Sequence, residues 1–157
     1  MNLLSDIQPF AAELLRNSPD LAGVPVLEDD GTYPKTPERE EALRTQGLVL
    51  IVWQIESDGL VDSSPTGVAA HDIYVPVVIE ENVKANRSDT GTGIQAEKAL
   101  QYVLAALCGQ VAGRGSRLVA MDPPFKNFGK VNGVNRLVAN VSIRAHKIGR
   151  ASCRERV

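Results

Sequence analysis

The chain has 157 residues, 43% of them hydrophobic, and its formal net charge is -2. This length and composition predict one domain with an ordinary buried core. No apolar run approaches the roughly 20 residues that a transmembrane helix needs, so a membrane-spanning protein is not expected. The first ten residues, MNLLSDIQPF, contain Asp6 and no basic residue, which is unlike a secretory signal.

Acidic and basic residues are distributed unevenly along the chain. Residues 1–83 carry 4 Lys or Arg and 15 Asp or Glu, a net charge of -11. Residues 84–147 carry 10 Lys or Arg and 3 Asp or Glu, a net charge of +7. Folding could intermix the two halves and average their charges. Alternatively, the acidic face of one molecule could meet the basic face of a neighbour, a heterologous contact of the kind that forms rings.

The first predicted element is an amphipathic helix over residues 5–18. It could instead begin at Pro9, because a proline one turn into a helix removes a hydrogen bond. Residues 28–46 contain two prolines and many charges, which predicts a long mobile surface loop with at most a helical turn over 38–43. The apolar run at 48–53 is rich in β-branched residues and predicts a central strand covered on both faces.

The middle of the chain predicts a strand, a polar loop and a long helix. The strand is expected over residues 66–81, and Pro76 within it indicates an edge or a bulge. The helix is expected at about 93–110, where Gly109 or Gly113 could end it.

The C-terminal part predicts a β-hairpin. A short strand at 117–121 is followed by Asp122-Pro-Pro124, which interrupts it. Asn132-Gly133 between two extended runs is a strong hairpin signal. The last strand, 136–146, alternates apolar and polar residues.

The order helix, strands, helix, strands predicts an α+β fold. We expect two main helices packed on one face of a largely antiparallel four- to five-stranded sheet, with the long loop outside it. Leu104 and Leu107 of the second helix are expected to pack against the sheet face that carries Leu137, Val141 and Ile143.

The sequence predicts no enzyme and no catalytic, cofactor or metal site. Gly91-Thr92-Gly93 precedes a helix and could present amides to a phosphate, but it matches neither a P-loop nor a dinucleotide fingerprint. A helix entry that needs backbone freedom explains it as well. His71 and His146 have no metal-ligand spacing around them. Cys108 lies beside the apolar stripe of the second helix, which favours a packing role.

Several segments together resemble a known viral family. They are LAGVPVLEDDG at 21–31, GVAAHDIYVPVVIEENVKANRS at 67–88, and IQAEKALQYVLAALCG at 94–109, followed by the closing hairpin. Their order and length resemble the tail terminator (minor tail, tail completion) proteins of long-tailed bacteriophages. The resemblance covers most of residues 1–147 as a single domain and rests especially on the stretch VIEENVKANRS.

The resemblance implies a structural virion protein that assembles as a ring, a hexamer in this family. The ring caps the tail tube, stops its growth and gives the head a docking surface. Its partners would be its own copies, the tail tube protein and the head–tail connector protein. DNA would pass through the ring without sequence-specific recognition, and no membrane is involved. The protein would assemble in the host cytoplasm and reside in the virion tail. A head–tail connector or other phage binding module is the alternative, and a small phosphate-binding enzyme is a third.

Charged residues are candidates for the subunit interface of such a ring. Arg136 and Arg144 lie on the outward face of the last predicted strand and could be donors. Glu38, Glu40 and Glu41 in the predicted loop could be acceptors. Because an exposed ion pair contributes at most about 1 kcal/mol, apolar contacts would have to supply most of the affinity.

The last ten residues, IGRASCRERV at 148–157, resemble at every position the translation of a common short-read sequencing adapter. We expect an artefactual tail and exclude it from the fold; a natural basic tail is the alternative. Without it the chain has 14 Lys or Arg and 18 Asp or Glu, a net charge of -4. Cys108 is then the remaining cysteine, which fits a reducing compartment.

Overall fold

The computed structural model describes residues 3–29, 36–53, 56–63, 69–112 and 116–146. Its helices are α1 (Leu3–Arg16), α2 (Pro37–Thr45), the short α3 (Val83–Asn86) and α4 (Ala96–Leu107). Its strands are β1 (Val26–Glu28), β2 (Leu48–Val52), β3 (Glu56–Ser63), β4 (Ala69–Tyr74), β5 (Val77–Asn82), β6 (Val111–Ala112), β7 (Ser116–Val131) and β8 (Val134–His146). Residues 148–157 lie outside the described part of the chain.

Two long antiparallel hairpins build the sheet. In the first hairpin β2 pairs with β5 and β3 pairs with β4. In the second, β7 pairs with β8 along most of the length of both strands. The hairpins join because β8 also pairs with β4 and β5, antiparallel to both. β1 adds parallel to β2, and β6 pairs with the start of β7. The result is a mixed, mainly antiparallel sheet.

The two faces of the sheet carry separate hydrophobic clusters. α1 and α4 cover the larger cluster, in which their buried side chains meet those of the strands. Its largest fully buried members are Ile7, Leu15, Leu21, Leu48, Leu50, Ile73, Ile79, Leu107, Leu118, Leu137 and Ile143. The smaller cluster lies under α2 and contains Ala42, Leu43, Val49, Ile51, Val78 and Val138.

The predicted combination of helices with a largely antiparallel sheet is present, but two details of the prediction were wrong. The described residues form eight strands rather than four or five. The prediction also lacked a helix: α1 and α4 both pack into the larger cluster on one face, whereas α2 covers the opposite face. The fully buried β2 explains why: all of its residues are buried, so both of its faces need a cover.

The prediction of a mobile loop over residues 28–46 was wrong for its second half. Residues 37–45 form α2, which begins with Pro37 at a position where a proline costs no helical hydrogen bond. Only Ala42 and Leu43 of this helix are buried, so its own sequence carries little amphipathic signal. Glu28 ends β1, and Asp29 is buried. Residues 30–35 lie outside the described residues.

The strand predicted over 66–81 divides into β4 and β5 at Val75 and Pro76. Pro76 was expected at an edge or a bulge, and the edge was wrong, because its strand is central, with β2 and β3 on one side and β8 on the other. On the β2 and β3 side the register shifts by one residue between the pairs Val52–Val77 and Glu56–Tyr74, as at a bulge. The break accommodates the missing amide: Trp53 donates its N–H to the Pro76 carbonyl at 2.9 Å, and Val75 donates to the Val141 carbonyl at 2.8 Å. The pairing with β8 continues in the same register across it.

Several local predictions are confirmed. Asn132 and Gly133 both have positive φ, 53° and 80°, as the tight turn between β7 and β8 requires. Gly109, with φ of 88°, follows the end of α4. α1 passes through Pro9 instead of beginning there. One local prediction was wrong: Asp122-Pro-Pro124 does not interrupt the strand at 117–121, because β7 continues past the prolines with a register shift between Ala120 and Phe125.

Both α4 leucines that were predicted to pack against this sheet face contact the larger cluster, but Leu107 is fully buried and Leu104 only partly buried. Leu107 is fully buried in the larger cluster, with Leu137, Val141 and Ile143. Leu104 is half-buried at the rim of the same cluster. Within the described segments, no helix is long and apolar enough to span a membrane.

Candidate assembly site

The two arginines predicted as intersubunit donors are paired within the chain. Arg136 on β8 lies directly opposite Glu80 on β5, and Arg144 on β8 lies directly opposite Asp72 on β4. The Arg144 guanidinium donates to Asp72 Oδ1 at 2.9 Å and to Oδ2 at 3.3 Å. Arg136 donates through Nε and Nη2 to Glu80 Oε2, at 3.1 and 3.0 Å. Both arginines therefore hold the two hairpins together.

Glu80 is fully buried and binds a second arginine from α2. Arg39 donates through Nε to Oε1 at 2.5 Å and through Nη2 to Oε2 at 2.9 Å. Burial by itself would raise the pKa of Glu80, but the hydrogen bonds and charges of Arg39, and then of Arg136, outweigh it and hold the pKa below its ordinary value of 4.5. One carboxylate thus connects α2, β5 and β8.

The spacing of the charged residues in the sequence is consistent with these two ion pairs, although the pairs were not predicted. Asp72 and Glu80 are eight residues apart, and so are Arg136 and Arg144. A single antiparallel register therefore brings both pairs together. Arg39 gave no comparable signal, because it became relevant only once residues 37–45 were known to be a helix.

The three predicted acceptors lie on α2 and are exposed. Glu38, Glu40 and Glu41 belong to the helix that covers the smaller cluster, and none of them meets Arg136 or Arg144 in the described contacts. Glu41 binds Arg44, one turn along the helix, at 2.8 Å between Oε1 and Nη2. The structure therefore brings the predicted donors to acids of their own chain, and leaves the carboxylates of α2 on the surface.

The glycine-bearing loop at 91–93 does not present free amides to a ligand in this conformation. The N–H of Gly91 bonds to the Ser88 carbonyl, that of Thr92 to the Gln46 carbonyl, and that of Gly93 to Asn86. The carboxylate of Glu81 already occupies the N-terminus of α4, where Oε1 accepts from the N–H of Ala96 at 3.2 Å. The site that a phosphate would use is filled by the protein itself.

Asn86 is the centre of this loop. It is buried, and its side-chain amide donates to Glu81 Oε2 and to the Ile94 carbonyl, both at 2.7 Å. Its Oδ1 accepts from the hydroxyl of Thr92 at 2.5 Å and from the N–H of Gly93 at 3.1 Å. Glycine is required beside it, because a Cβ at Gly47 would lie 2.1 Å from the Asn86 nitrogen.

Cys108 shows no reactive arrangement in the described residues. Cys108 is half-buried at the end of α4, and burial raises the pKa of its thiol, an effect that a hydrogen bond with the Ala120 backbone reduces. His71 and His146 occupy β4 and β8, and their side chains lie outside the described residues. Among the described side chains, no group of three or more His, Cys, Asp or Glu could hold a metal.

The most exposed apolar surface is on β7, which the sequence reading did not identify. Val119, Phe125, Phe128 and Val131 are between 43% and 65% exposed. The ammonium of Lys126 lies 4.9 Å from the centre of the Phe128 ring. Phe125 is opposite Ala139, on the face of the larger cluster, and Lys126 is opposite Val138, on the face of α2. We call residues 119–131 the β7 strip.

Comparison with known proteins gives no match to any protein-family model and no significant match to a curated protein.

Proposed function

We propose that this protein is a structural subunit of a bacteriophage tail, which closes into a ring on the end of the tail tube. The ring ends tube growth and gives the head its docking surface. The observation that carries the proposal is the β7 strip, since half-exposed aromatic and aliphatic side chains along one strand are typical of a surface that contacts another protein.

The stretch that carries the resemblance to tail terminators also has a structural role. VIEENVKANRS at 78–88 forms the end of β5 and the whole of α3. It contains Glu80, Glu81 and Asn86, three of the four buried polar residues in the described part of the chain. These residues join α2, α4 and the second hairpin, so the stretch supports a rigid framework on which an assembly surface can be displayed.

The phosphate-binding alternative has less support than the assembly function. A phosphate at the N-terminus of α4 would have to displace the Glu81 carboxylate, and it would meet amides that already bond to Asn86, Gln46 and Ser88. A head–tail connector or another binding module would use the β7 strip equally well. What separates it from a terminator is the partner: a terminator binds copies of itself and the end of a tube.

The test determines how many copies assemble and where the assembly binds on a tail tube. Analytical ultracentrifugation of the purified protein gives the number of copies, and electron microscopy with tubes grown from a phage tail tube protein shows where it binds. We expect a closed ring, alone or on tube ends, and tubes that stop growing when it is added. A protein that remains monomeric and leaves tube growth unchanged would overturn the proposal.

A further inference from the structure

The two sides of the sheet end in strands of opposite charge. On one side, β7 carries Arg117, Lys126 and Lys130 against the single acid Asp122. On the other side, β3 has the sequence ESDGLVDS, with Glu56, Asp58 and Asp62 and no basic residue. Both are edges as far as the described residues extend, since β3 pairs with β4 and the strip on β7 pairs with β8.

The strip on β7 has an outer edge that other strands of the molecule leave open. β6 pairs with Ser116 and Arg117, and Gln110 accepts from the N–H of Leu118 at 2.9 Å. Past Leu118, no backbone partner on that side appears among the described residues up to Val131. A row of unpaired backbone groups beside exposed apolar side chains can accept a strand from another chain.

We propose that the β7 strip of one copy binds the β3 edge of a second copy. Because the two edges lie on opposite sides of one sheet, the contact is heterologous, and repeating it carries the sheet from copy to copy until a ring closes. In this contact the basic sequence of the β7 strip, with Lys126 and Lys130, lies beside the acidic sequence of β3, which includes Asp58 and Asp62. Phe125 and Phe128 supply the apolar part. This inference rests on the proposed ring and names the surfaces that form it.

The opposite interpretation of β7 is a protected edge, since lysines, prolines and bulges are devices that prevent strand pairing. Pro123 and Pro124 and the two register shifts do limit pairing in the middle of the strand. The need to prevent strand pairing does not explain the exposed apolar residues of β7. A half-exposed side chain such as Phe128, which is 50% exposed, does not help an edge to avoid pairing. The prolines therefore restrict the contact to the part of the strip from Phe125 onward.

The choice of β3 over α2 as the acidic partner follows from the geometry. The carboxylates of α2 lie above the face of the sheet, on a helix that has no backbone groups to offer a strand, and Glu41 is already bonded to Arg44. Among the described residues, β3 has a backbone partner on one side only, β4, and the sequence of this segment contains three acidic residues.

The experiment exchanges charges between the two edges. One variant carries Lys126→Glu and Lys130→Glu, and the other carries Asp58→Lys and Asp62→Lys. Ultracentrifugation with and without tubes should show that each variant alone assembles at least tenfold more weakly than the unmodified protein. An equal mixture of the two should restore the ring, because every contact in it again joins opposite charges. Thermal unfolding and circular dichroism confirm that each variant is folded.

Two further variants serve as matched tests. Glu38→Lys with Glu40→Lys makes the same charge change on α2 and should leave assembly unaltered, whereas Phe128→Ser removes an exposed ring without a charge change and should weaken assembly at every salt concentration. If the unmodified protein forms rings but the folded edge variants assemble normally, or their mixture fails to assemble, the edge contact is wrong and the ring function stands. If the unmodified protein is monomeric with and without tubes, both are overturned.

Discussion

Glu80 is a fully buried carboxylate that binds two arginines. A fully buried carboxylate is costly to remove from water, and the cost is met only if its oxygens are well bonded. Arg39 and Arg136 supply four hydrogen bonds to the two oxygens. Removing Arg39 or Arg136 leaves the buried charge of Glu80 with fewer hydrogen bonds. Substitutions of these arginines therefore test whether Glu80 is buried between them.

We predict that Arg39→Met destabilises the protein by about 3 kcal/mol, near the lower limit for breaking a buried ion pair, because Arg136 remains bonded to Glu80. The matched control is Arg44→Met on the same helix. Its pair with Glu41 is 71% and 61% exposed, so the cost should be below about 1 kcal/mol. Urea unfolding at pH 7 measures both. Equal costs for the two variants would contradict the burial of Arg39 against the sheet.

The lowered pKa of Glu80 predicts how stability depends on pH. A group whose pKa is lower in the folded state stabilises the protein above its unfolded pKa, and this stabilisation is lost as the pH falls through the folded value. The free energy of unfolding should therefore decrease as the pH falls below the ordinary value of 4.5. Glu80→Gln should be less stable at pH 7 and should lose this part of the pH dependence. If the unfolding free energy of Glu80→Gln depends on pH below 4.5 as steeply as that of the unmodified protein, Glu80 is not the source of this pH dependence.

Among the elements, α2 and the 86–96 loop depend on each other. α2 ends at Thr45, and Gly47 two residues later has φ of 77° and lies against Asn86. The N–H of Asn82 donates to the Gly47 carbonyl at 2.8 Å, and the N–H of Thr92 donates to the Gln46 carbonyl at 3.1 Å. The end of the helix thus fixes the position of α3 and of the loop that leads into α4.

Gly47→Ala should destabilise the protein much more than Gly23→Ala. Both glycines have positive φ, 77° and 83°, so both substitutions incur the backbone strain of about 1–2 kcal/mol. Only at Gly47 would the added Cβ also collide, at 2.1 Å, with the Asn86 backbone, whereas no atom lies within 4 Å of a Cβ at Gly23. The difference between the two variants in chemical unfolding measures the cost of the collision between the added Cβ at residue 47 and the Asn86 backbone. Similar midpoints for both would refute the contact.

The burial of α4 gives a second comparison between neighbouring positions. Leu107 is fully buried in the larger cluster, so Leu107→Ala should cost about 2–5 kcal/mol through lost burial and a cavity. Leu104 is half-buried, and Leu104→Ala should cost clearly less. Unfolding free energies measured under one condition test the order. A larger cost at Leu104 would mean that the helix presents a different face to the sheet.

How far the sequence could predict these elements depended on whether the signal was local. β2, α4 and the Asn132-Gly133 turn follow from a dense apolar run, helical periodicity and a turn dipeptide, so they were predicted. α2 was missed because only Ala42 and Leu43 of its residues are buried, and the decisive contact, Arg39 with Glu80, spans 41 positions. The β7 strip was missed because exposure is a property of the assembled sheet, and Phe125 and Phe128 look like core residues in isolation.

At the scale of the whole molecule, the fold joins the acidic and basic halves of the chain. Asp72 and Glu80 come from the half with a net charge of -11, and they bind Arg144 and Arg136 from the half with a net charge of +7. Part of the charge asymmetry is therefore neutralised inside the monomer. Part of the remaining asymmetry lies at two edges of the sheet, where β3 has an acidic sequence and β7 a basic one.

This division of charge predicts different effects for substitutions on β8 and on β7. If Arg136 and Arg144 were intersubunit donors, replacing them would weaken assembly and spare the stability of the monomer. Since they bind Glu80 and Asp72, we expect the reverse. Arg136→Gln should cost about 1–3 kcal/mol of stability, because a buried acceptor loses a charged donor. Arg144→Gln should cost at most about 1 kcal/mol, because its pair is partly exposed.

The measurement pairs unfolding with sedimentation for each variant, using Lys130→Gln as the control that removes a positive charge from the β7 strip. The control should leave the unfolding free energy within about 0.5 kcal/mol of the unmodified value, since Lys130 is exposed. It should instead weaken association, and added salt should reduce the difference because exposed charges are screened. Arg136→Gln at full stability but with impaired association would return Arg136 to the interface and remove its role beside Glu80.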